Sequence, residues 1–362
     1  MKILQIIGNM GSGGAEKLLL DSLPLYRKNG IEMDLLVLNG KEHPFLKTLK
    51  ETGCCKIHSL GSGSIYNPIN CLKIIPFLRK YNIVQVHLFP SQYWVVLAKI
   101  ISFSKIKLLL TEHTTSNPRM KNYFIKGIDK FIYRFYDKII CVKEEVFQII
   151  YNYTGESKSK FEVIENGIDL EKFYQAKPYS KSEISNLFSS EDILLIQVSR
   201  FCFPKDQETT IKSLQFLPQN VKLVLVGDGE LKKNCENLVQ KLNLSDRVLF
   251  LGLRMDVPEL LKTADISILS TFHEGFPLVA LEAMAAGKPL IASDVSGVSD
   301  VVQNAGILFE KENAKELAVQ VMKLINDPEY YMEIASSCKE RAKKNDIQHM
   351  IEKHIALYKS LF

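Results

Sequence analysis

The sequence predicts an α/β fold made of two doubly wound domains, each built on a parallel sheet. Its 362 residues are about two domains' worth, and 46% of them are hydrophobic and 24% charged, as in ordinary globular proteins. Short apolar segments alternate with helical ones, which favours parallel strands joined by crossover helices. The alternation is interrupted once, by the polar segment QAKPYSKSE, and then starts again. We therefore expect a first domain over residues 1–174, a linker over 175–190 and a second domain over 191–345.

Each predicted strand is a short apolar run rich in Ile, Leu and Val. In the first domain these runs are Ile3–Ile7, Met33–Leu38, Ile83–His87, Ile106–Leu110, Lys138–Val142 and Phe161–Ile164. In the second domain they are Ile193–Val198, Val221–Val226, Val248–Leu251, Ile266–Leu269 and Leu290–Ala292. A last helical segment covers about residues 346–362. This pattern indicates two sheets, with their crossover helices between the strands.

The composition narrows the class of protein. Seven cysteines without a CxxC pair indicate reduced thiols rather than a disulfide framework or a zinc site. The N-terminal apolar run is too short for a signal peptide, and no segment reaches the roughly 18 apolar residues of a membrane span. We therefore expect a cytoplasmic protein with no cofactor and no nucleic-acid partner.

The charge is distributed unevenly along the chain. Residues 1–178 contain 25 Lys and Arg against 16 Asp and Glu, a net charge of +9, which leaves −4 for residues 179–362. A basic first half suggests an anionic partner, and ordinary surface charge explains the asymmetry equally well.

The functional prediction depends on the segment Thr271–Asp300. An apolar strand leads into a polar turn that contains Glu274, and a helix is expected to begin at Pro277. Amide groups at a helix N-terminus bind anions such as phosphates, and Glu282 lies about 7.5 Å further along the helix axis. Two carboxylates on either side of an anion site suit a ligand with phosphates in its middle and hydroxyl-rich groups at both ends. A nucleotide sugar has that shape.

The phrase EGFPLVALEAMAAGKPLIASD, with seven residues between Glu274 and Glu282, resembles the Glu-x7-Glu motif of the retaining glycosyltransferases of family four (glycosyl transferases group 1). These enzymes have the GT-B fold, in which two Rossmann-like domains face each other across a cleft. The resemblance implies transfer of a hexosyl or N-acetylhexosaminyl group from a nucleotide sugar, expected to be a UDP-sugar. The implied acceptor is a glycan or a polyprenyl-diphosphate-linked sugar, in the synthesis of a bacterial surface polysaccharide such as lipopolysaccharide or capsule. It also implies that the C-terminal helix, about residues 346–362, packs back on the first domain.

The resemblance also assigns roles to individual residues. Arg200 and Lys205 match an Arg-x4-Lys pattern that binds the donor diphosphate, and the fork of an arginine suits that geometry. Glu274 would hold the hydroxyls of the donor sugar, Glu282 the ribose, and His113 would orient the sugar from the first domain. We expect the catalytic residues to be His113, Arg200, Lys205 and Glu274. The expected donor-binding residues are Gly13, Gly14, Arg200, Lys205, Gly227, Leu253, Arg254, Glu274, Gly275, Phe276, Pro277, Leu278, Val279 and Glu282.

No metal ligands are expected. Many transferases hold a divalent ion with an Asp-x-Asp motif, and this sequence contains none. Arg200, Lys205 and the helix end at Pro277 would instead supply fixed positive charge to the departing diphosphate. The family implies retention at the anomeric carbon, through same-face attack assisted by the leaving phosphate.

Several alternatives stay open. The glycine-rich turn Gly8–Glu16 could belong to a nicotinamide enzyme, although G-x-G-x-x-G is not matched and the second strand ends at Asn39, where a ribose-binding acid would be expected. Gly13 and Gly227 could also serve purely structural turns, and His87 is interpreted as structural. A sugar-nucleotide epimerase of similar architecture, or a non-catalytic nucleotide-sugar-binding protein, would bind the same class of ligand.

A basic and aromatic helix is predicted over about Met120–Tyr136. Helical phase places four of its apolar side chains on one face, which we expect to pack in the core, as in an ordinary amphipathic helix. These are Phe124, Ile128, Phe131 and Phe135. Its cations leave open a peripheral contact with the anionic inner face of the cytoplasmic membrane. They are Lys121, Lys126, Lys130 and Arg134.

Overall fold

The computed structural model describes residues 1–113, 120 and 122–361. The chain divides into two compact units, which we call unit 1 (Met1–Gly167 and Ile347–Phe362) and unit 2 (Ile168–Asp346). Each unit contains one parallel β-sheet with helices between successive strands. The predicted α/β class with two parallel sheets is therefore confirmed.

Unit 1 is built on a seven-stranded sheet. Its strands are β1 (Lys2–Ile7), β2 (Glu32–Val37), β3 (Ile57–Ser59), β4 (Ile83–His87), β5 (Lys107–Glu112), β6 (Lys138–Cys141) and β7 (Phe161–Val163). Its first helices are α1 (Gly14–Lys28), α2 (Pro44–Thr52), α3 (Asn70–Leu78), α4 (Ser91–Ile101), α5 (Tyr123–Tyr133) and α6 (Glu144–Thr154). The strand order is β3-β2-β1-β4-β5-β6-β7, so the winding direction reverses between β1 and β4. Strand β4 is buried along its whole length, as expected in a parallel sheet, although it contains the polar residues Gln85 and His87.

Unit 2 is built on a six-stranded sheet. Its strands are β8 (Ile193–Val198), β9 (Val221–Val226), β10 (Val248–Gly252), β11 (Ile266–Leu269), β12 (Leu290–Ser293) and β13 (Ile307–Phe309). Its helices are α7 (Leu170–Gln175), α8 (Lys181–Ile184), α9 (Gln207–Ser213), α10 (Lys232–Lys241), α11 (Val257–Thr263), α12 (Leu278–Ala285), α13 (Ser299–Val302), α14 (Ala314–Asn326) and α15 (Pro328–Lys344). The order β10-β9-β8-β11-β12-β13 places the reversal between β8 and β11.

The last helix, α16 (Ile347–Ser360), belongs to unit 1, although it follows all of unit 2 in the chain. It packs against α1, where Tyr358 and His354 are buried beside Tyr26. Unit 1 is thus formed from two separate segments of sequence.

The segment 168–190 differs from the sequence prediction, which placed a domain boundary at 174 and a linker over 175–190. Leu170 and Phe173 of α7 are buried, and α7 packs against α11 and α12. Further along, Lys181 forms an ion pair with Asp265 at 2.7 Å. This segment is therefore part of unit 2. It adds no strand to the sheet, and its contacts with the unit are made by a few apolar and charged side chains.

Two edge strands, β3 and β13, were absent from the prediction. Each has only three residues, and at the edge of a sheet a strand needs one pairing partner only. An apolar run of that length is too short to be distinguished from a loop.

The predicted core face of α5 is wrong, because the aromatic side of this helix is exposed. Phe124 is 85% exposed, Ile128 52% and Phe131 49%. The buried side instead contains Asp129, whose carboxylate accepts hydrogen bonds from the hydroxyls of Tyr93 and Tyr153. The buried side of the helix thus combines this polar contact with the burial of Ile132 and Tyr133.

The inner face of α5 makes one further polar contact, from Tyr133 to the Glu112 carboxylate at the end of β5. Lys121, one of the cations assigned to this helix, lies outside the described residues. Across the described part of the chain, none of the helices has the length and apolar character needed to span a membrane.

Candidate functional site

The carboxyl ends of β8 and β11 bring together three of the residues predicted to bind the donor. In doubly wound sheets, ligands bind beside such a reversal of strand order. The loop after β8 contains Arg200 and Lys205, and the loop after β11 contains Glu274. The two loops are tied by their backbones, since Lys205 forms an antiparallel bridge with Thr271 and the Phe272 amide donates to the Pro204 carbonyl at 2.9 Å. Residues far apart in sequence are thereby held side by side.

Lys205 and Glu274 form a direct ion pair. The Lys205 ammonium donates to Oε1 of Glu274, and the two side chains are 15% and 14% exposed. Arg200, in the same loop as Lys205, is exposed. The sequence assigned Lys205 to a diphosphate and Glu274 to a sugar, and their charged groups prove to be neighbours.

The helix α12 follows directly on the Glu274 loop. It begins at Leu278, one residue later than predicted, because Pro277 has non-helical backbone angles (φ −81°, ψ 83°) and occupies the N-cap position. Gly275 and Phe276 lie half-buried in the turn before it, and Val279 is half-buried in its first turn.

Glu282 is the one charged residue of α12, and it is 8% exposed. The rest of the helix is apolar on all sides, as expected of a helix in a core. The buried neighbours are Leu278, Ala280, Leu281, Ala283, Met284 and Ala285. Carboxylates are rarely found in helices as apolar as this one, so Glu282 is unusual for its surroundings.

Two glycines let neighbouring loops approach this site. Gly227, after β9, has φ +135°, and a Cβ atom there would lie 2.1 Å from the carbonyl oxygen of Ser199. Gly297, after β12, has φ +84°, and its Cβ would lie 2.0 Å from the carbonyl oxygen of Glu274. At both positions a side chain would clash with the neighbouring carbonyl oxygen, and the positive φ is unfavourable for residues other than glycine. The sequence analysis identified Gly227 and missed Gly297, although its position just after a strand was a usable signal.

A second group of residues missed by the sequence analysis supports the backbone of the Arg200 turn. Nε2 of Gln207 donates to Ser199 Oγ and to the Arg200 carbonyl, both at 2.9 Å. Asp206 caps α9 through the Thr209 amide at 3.1 Å and accepts from the Ser270 hydroxyl at 2.9 Å. These polar side chains are buried, and an Asp directly before a helix, the usual mark of an N-cap, is the signal that would have identified Asp206.

Leu253 and Arg254 follow β10, at the outer edge of the unit 2 sheet. The Arg254 guanidinium is bound at two points by Asp256, with Nε to Oδ1 at 2.8 Å, and this contact holds the pKa of the Asp256 carboxyl below its ordinary value. The Tyr179 hydroxyl donates to the same carboxylate at 2.8 Å. A ligand contact of Arg254 would therefore have to share the guanidinium with Asp256.

In unit 1, Gly13 and Gly14 lie where β1 meets α1, next to the reversal between β1 and β4. Gly13 is the N-cap of α1, and a Cβ there would lie 2.3 Å from a carboxylate oxygen of Glu16. The turn keeps its backbone accessible, since both glycines are at least partly exposed.

His113 follows β5 in unit 1 and contacts a second histidine. Its Nε2 lies 3.0 Å from Nδ1 of His87, and Nε2 of His87 lies 2.7 Å from Oε1 of Gln5. Burial lowers the pKa of His113 to about 4. Burial, and then the proximity of His113, lower the pKa of His87 well below its ordinary value. Both imidazoles are therefore neutral near pH 7.

Within the described residues, no cluster of three or more His, Cys, Asp or Glu side chains is arranged to hold a metal ion. The charged groups at the β8–β11 edge are instead two cations and a carboxylate. Their arrangement can bind an anion and a hydroxyl-bearing group side by side.

Two family matches together cover most of the chain. Residues 12–172 match the family described as Glycosyltransferase Family 4, and residues 180–345 match the one described as Glycosyl transferases group 1. The matched ranges correspond closely to units 1 and 2.

Two Campylobacter jejuni enzymes are among the similar proteins. One is N,N'-diacetylbacillosaminyl-diphospho-undecaprenol alpha-1,3-N-acetylgalactosaminyltransferase, 30% identical over 65% of this chain and 64% of the enzyme's length. The other is N-acetylgalactosamine-N,N'-diacetylbacillosaminyl-diphospho-undecaprenol 4-alpha-N-acetylgalactosaminyltransferase, 26% identical over 94% of both chains. The first alignment thus spans just under two thirds of that relative.

Among solved structures, the Anabaena protein HepE in complex with UDP-glucose superposes with a TM-score of 0.83. It is 25% identical, and the match covers 99% of this chain and all of that one.

Proposed function

We propose, from the premise that this chain belongs to the group 1, family 4 glycosyltransferases, that it transfers a sugar from a UDP-sugar to a polyprenyl-diphosphate-linked acceptor. The transfer retains the anomeric configuration and needs no metal ion. The Lys205–Glu274 ion pair, held in front of α12 at the β8–β11 edge, is the observation that carries this proposal.

The pair suits the chemistry because departure of a nucleoside diphosphate develops negative charge. Lys205, Arg200 and the amides at the start of α12 supply fixed positive charge to that group. Glu274 is beside Lys205, so a sugar joined to the bound diphosphate lies within its reach and its hydroxyls can donate to the carboxylate. Glu282 is assigned to the ribose of the nucleotide, and in unit 1 His113 is assigned to a sugar hydroxyl.

The bond changes balance without a further reactant. The bond between the anomeric carbon and the diphosphate oxygen breaks, and the acceptor hydroxyl oxygen bonds to the same face of that carbon. The hydroxyl proton passes to the departing phosphate oxygen. The protein's task is to hold the diphosphate, the sugar and their charges in place.

The donor and acceptor classes draw on similar proteins. HepE binds UDP-glucose, and the names of both Campylobacter enzymes specify sugars linked to diphospho-undecaprenol. The net charge of +9 on residues 1–178 suits an anionic diphosphate acceptor.

Incubation with a panel of nucleotide sugars and an undecaprenyl-diphosphate-linked sugar tests the proposal, with and without EDTA. We expect UDP release together with a lengthened lipid-linked product, unchanged by EDTA. Inhibition by EDTA that magnesium or manganese reverses would contradict the metal-free mechanism. An epimerised nucleotide sugar, or binding without any chemistry, would favour the epimerase or the binding protein instead.

The outer face of α5 gives this proposal a membrane component. We define this face by its exposed apolar residues Tyr123, Phe124, Ile128 and Phe131 and by the exposed cation Arg134, with the half-buried cations Lys126 and Lys130 beside them. Aromatic side chains at 85–88% exposure beside cations suit the interface of an anionic bilayer, and each cation adds about 1 kcal/mol near such a surface. We infer peripheral, salt-sensitive docking through this face.

Sedimentation with anionic and with neutral vesicles tests the docking. Wild type should co-sediment with anionic vesicles at low salt and be released at high salt. The substitutions Phe124→Ser with Phe131→Ser, or Lys126→Ser with Lys130→Ser and Arg134→Ser, should each abolish binding. Phe103→Ser is the matched control, because Phe103 is 91% exposed and follows α4, outside the α5 face. Unchanged sedimentation of the α5 variants would refute the assignment and favour a water-soluble acceptor.

A further inference from the structure

Unit 1 contains a buried layer of polar side chains inside an otherwise apolar core. Gln5 of β1, Gln85 of β4 and Tyr358 of α16 are each at most 1% exposed, and His87 is 3% exposed. Buried polar groups are stable only when they are hydrogen-bonded, so each bond in this layer constrains the direction of the next.

The amide of Gln5 can point only one way. Its Nε2 lies 3.2 Å from Met33 Sδ, 3.4 Å from Gln85 Oε1 and 3.5 Å from the Tyr358 hydroxyl oxygen. The Tyr358 hydroxyl donates its own proton to Gln85 Oε1, so all three neighbours act as acceptors toward Gln5. The amide nitrogen must face them, and the carbonyl oxygen Oε1 therefore faces His87.

Gln85 extends the layer to β5, where its Nε2 donates to Thr111 Oγ1 at 2.8 Å. A hydroxyl can donate as well as accept, so this bond does not set the direction of the Gln5 amide. The Met33 thioether can only accept, and it therefore orients Gln5 directly.

The position of each imidazole proton follows from the Gln5 carbonyl. A carbonyl oxygen only accepts, so Nε2 of His87, 2.7 Å away, carries its proton. A neutral imidazole has one N–H, which leaves a lone pair on His87 Nδ1. Nε2 of His113 lies 3.0 Å from His87 Nδ1 and must donate to its lone pair. His113 is left with its lone pair on Nδ1.

We propose that Gln5 and His87 are positioning residues that fix the tautomer of His113, so that His113 presents Nδ1 as a hydrogen-bond acceptor. An acceptor nitrogen binds a hydroxyl and is repelled by a phosphate oxygen. The ligand group that His113 receives is therefore a hydroxyl of the sugar, not a phosphate. This inference rests on the proposed function for its effect on turnover, and its structural part is measured without any substrate.

Long-range ¹⁵N–¹H NMR of histidine-labelled protein is the test, since it distinguishes the two neutral tautomers. Signals are assigned by replacing His87 and His113 with Gln, one at a time. Wild type should show Nε2–H on both rings. Gln5→Leu removes the carbonyl, so His87 and His113 should become mixtures of tautomers. Thr111→Val is the matched control, because it also removes a buried hydrogen bond of this layer and leaves the Gln5 carbonyl on His87.

Turnover provides the second readout. Gln5→Leu should lower kcat about tenfold or more, through misplacement of His113, and leave the affinity for UDP unchanged. His113→Ala should cost little extra in the Gln5→Leu background, because both changes remove the same contribution.

Each outcome decides the proposal. Nδ1–H on either ring of wild type overturns it, and this measurement stands even if Gln5→Leu does not fold. An unchanged His113 tautomer in Gln5→Leu, or fully additive losses with His113→Ala, also overturns it. If no donor is used by wild type while the tautomers behave as expected, the proposed function fails and the assignment of the protons stands.

Discussion

The two sheets reverse their strand order in the same way, yet the chemistry at the two reversals is opposite. At β1–β4 in unit 1, the buried polar layer consists largely of amides and neutral imidazoles bonded to one another. At β8–β11 in unit 2, they are Arg200, Lys205 and Glu274, charged and partly open to solvent. The topology thus fixes where a ligand can bind, and the residues after each strand decide what kind of group it is. The charged edge suits a diphosphate, whereas the neutral edge suits hydroxyl groups.

The largest expected effect comes from removing charge at the β8–β11 edge. Lys205→Ala should lower turnover by roughly 10²-fold or more, because the departing diphosphate loses a fixed cation. Lys181→Ala is a matched control, since Lys181 is 17% exposed and also pairs with a carboxylate of unit 2, that of Asp265. Steady-state kinetics should show a full loss for the first variant and near wild-type turnover for the second. Similar rates in both variants would mean that Lys205 only stabilises the fold.

The next prediction, with a smaller expected effect, distinguishes the role of Glu274 from that of Glu282. Glu282→Gln should weaken UDP binding by about 1–3 kcal/mol, since a charge-assisted hydrogen bond to ribose is lost. Glu274→Gln should instead reduce turnover and leave UDP affinity nearly unchanged, because its assigned partner is the sugar. Titration calorimetry with UDP compares the two variants directly. Equal losses of affinity would contradict this division of roles.

The mildest prediction concerns the neutral edge and pH. Burial lowers the pKa of His113 to about 4 and that of His354 to about 3, below the ordinary value of about 6.5. The unfolded chain therefore binds more protons between about pH 6.5 and about pH 3. The free energy of unfolding should be highest above about pH 6.5 and should fall as the pH is lowered through this window.

Trp94 makes this pH dependence measurable in unit 1 alone. It is the single tryptophan of the chain and lies in α4, so its fluorescence in urea reports the unfolding of that unit. The urea midpoint should be lower at about pH 5 than at about pH 7.5, and His354→Leu should make the difference smaller. A midpoint that is equal at both pH values would show that these imidazoles are not kept neutral by the fold.

Much of the fold could be predicted from the sequence, because a strand buried on both faces must be apolar. Runs such as Val221–Val226 therefore identified their strands directly, with the same bounds in β9. The same reasoning gave the wrong buried face for α5. Its aromatic stripe has the period of a core helix, whereas the buried side contains Asp129, whose partners Tyr93 and Tyr153 are distant in sequence.

The sequence pointed to individual residues of the candidate site but not to the contacts between them. The resemblance located Lys205 and Glu274, and it could not reveal their ion pair, which depends on how two distant loops are tied. The buried polar layer of unit 1 is less evident in the sequence. Gln5 and Gln85 each interrupt an apolar strand at its centre, and such an interruption signals a polar bond across the sheet.

The place of α16 in the chain has a consequence for how the protein is made. Unit 2 is continuous in sequence, so the ribosome completes it before it makes α16. Domains generally fold as units during synthesis. Unit 1 begins first and finishes last, because Tyr358, which closes its layer of glutamines, is synthesised only after all of unit 2. Until then Oε1 of Gln85 lacks the hydrogen bond that the Tyr358 hydroxyl donates to it. A nascent chain that stops after Asp346 would therefore contain all of unit 2 but an incomplete unit 1, although the synthesis of unit 1 began first.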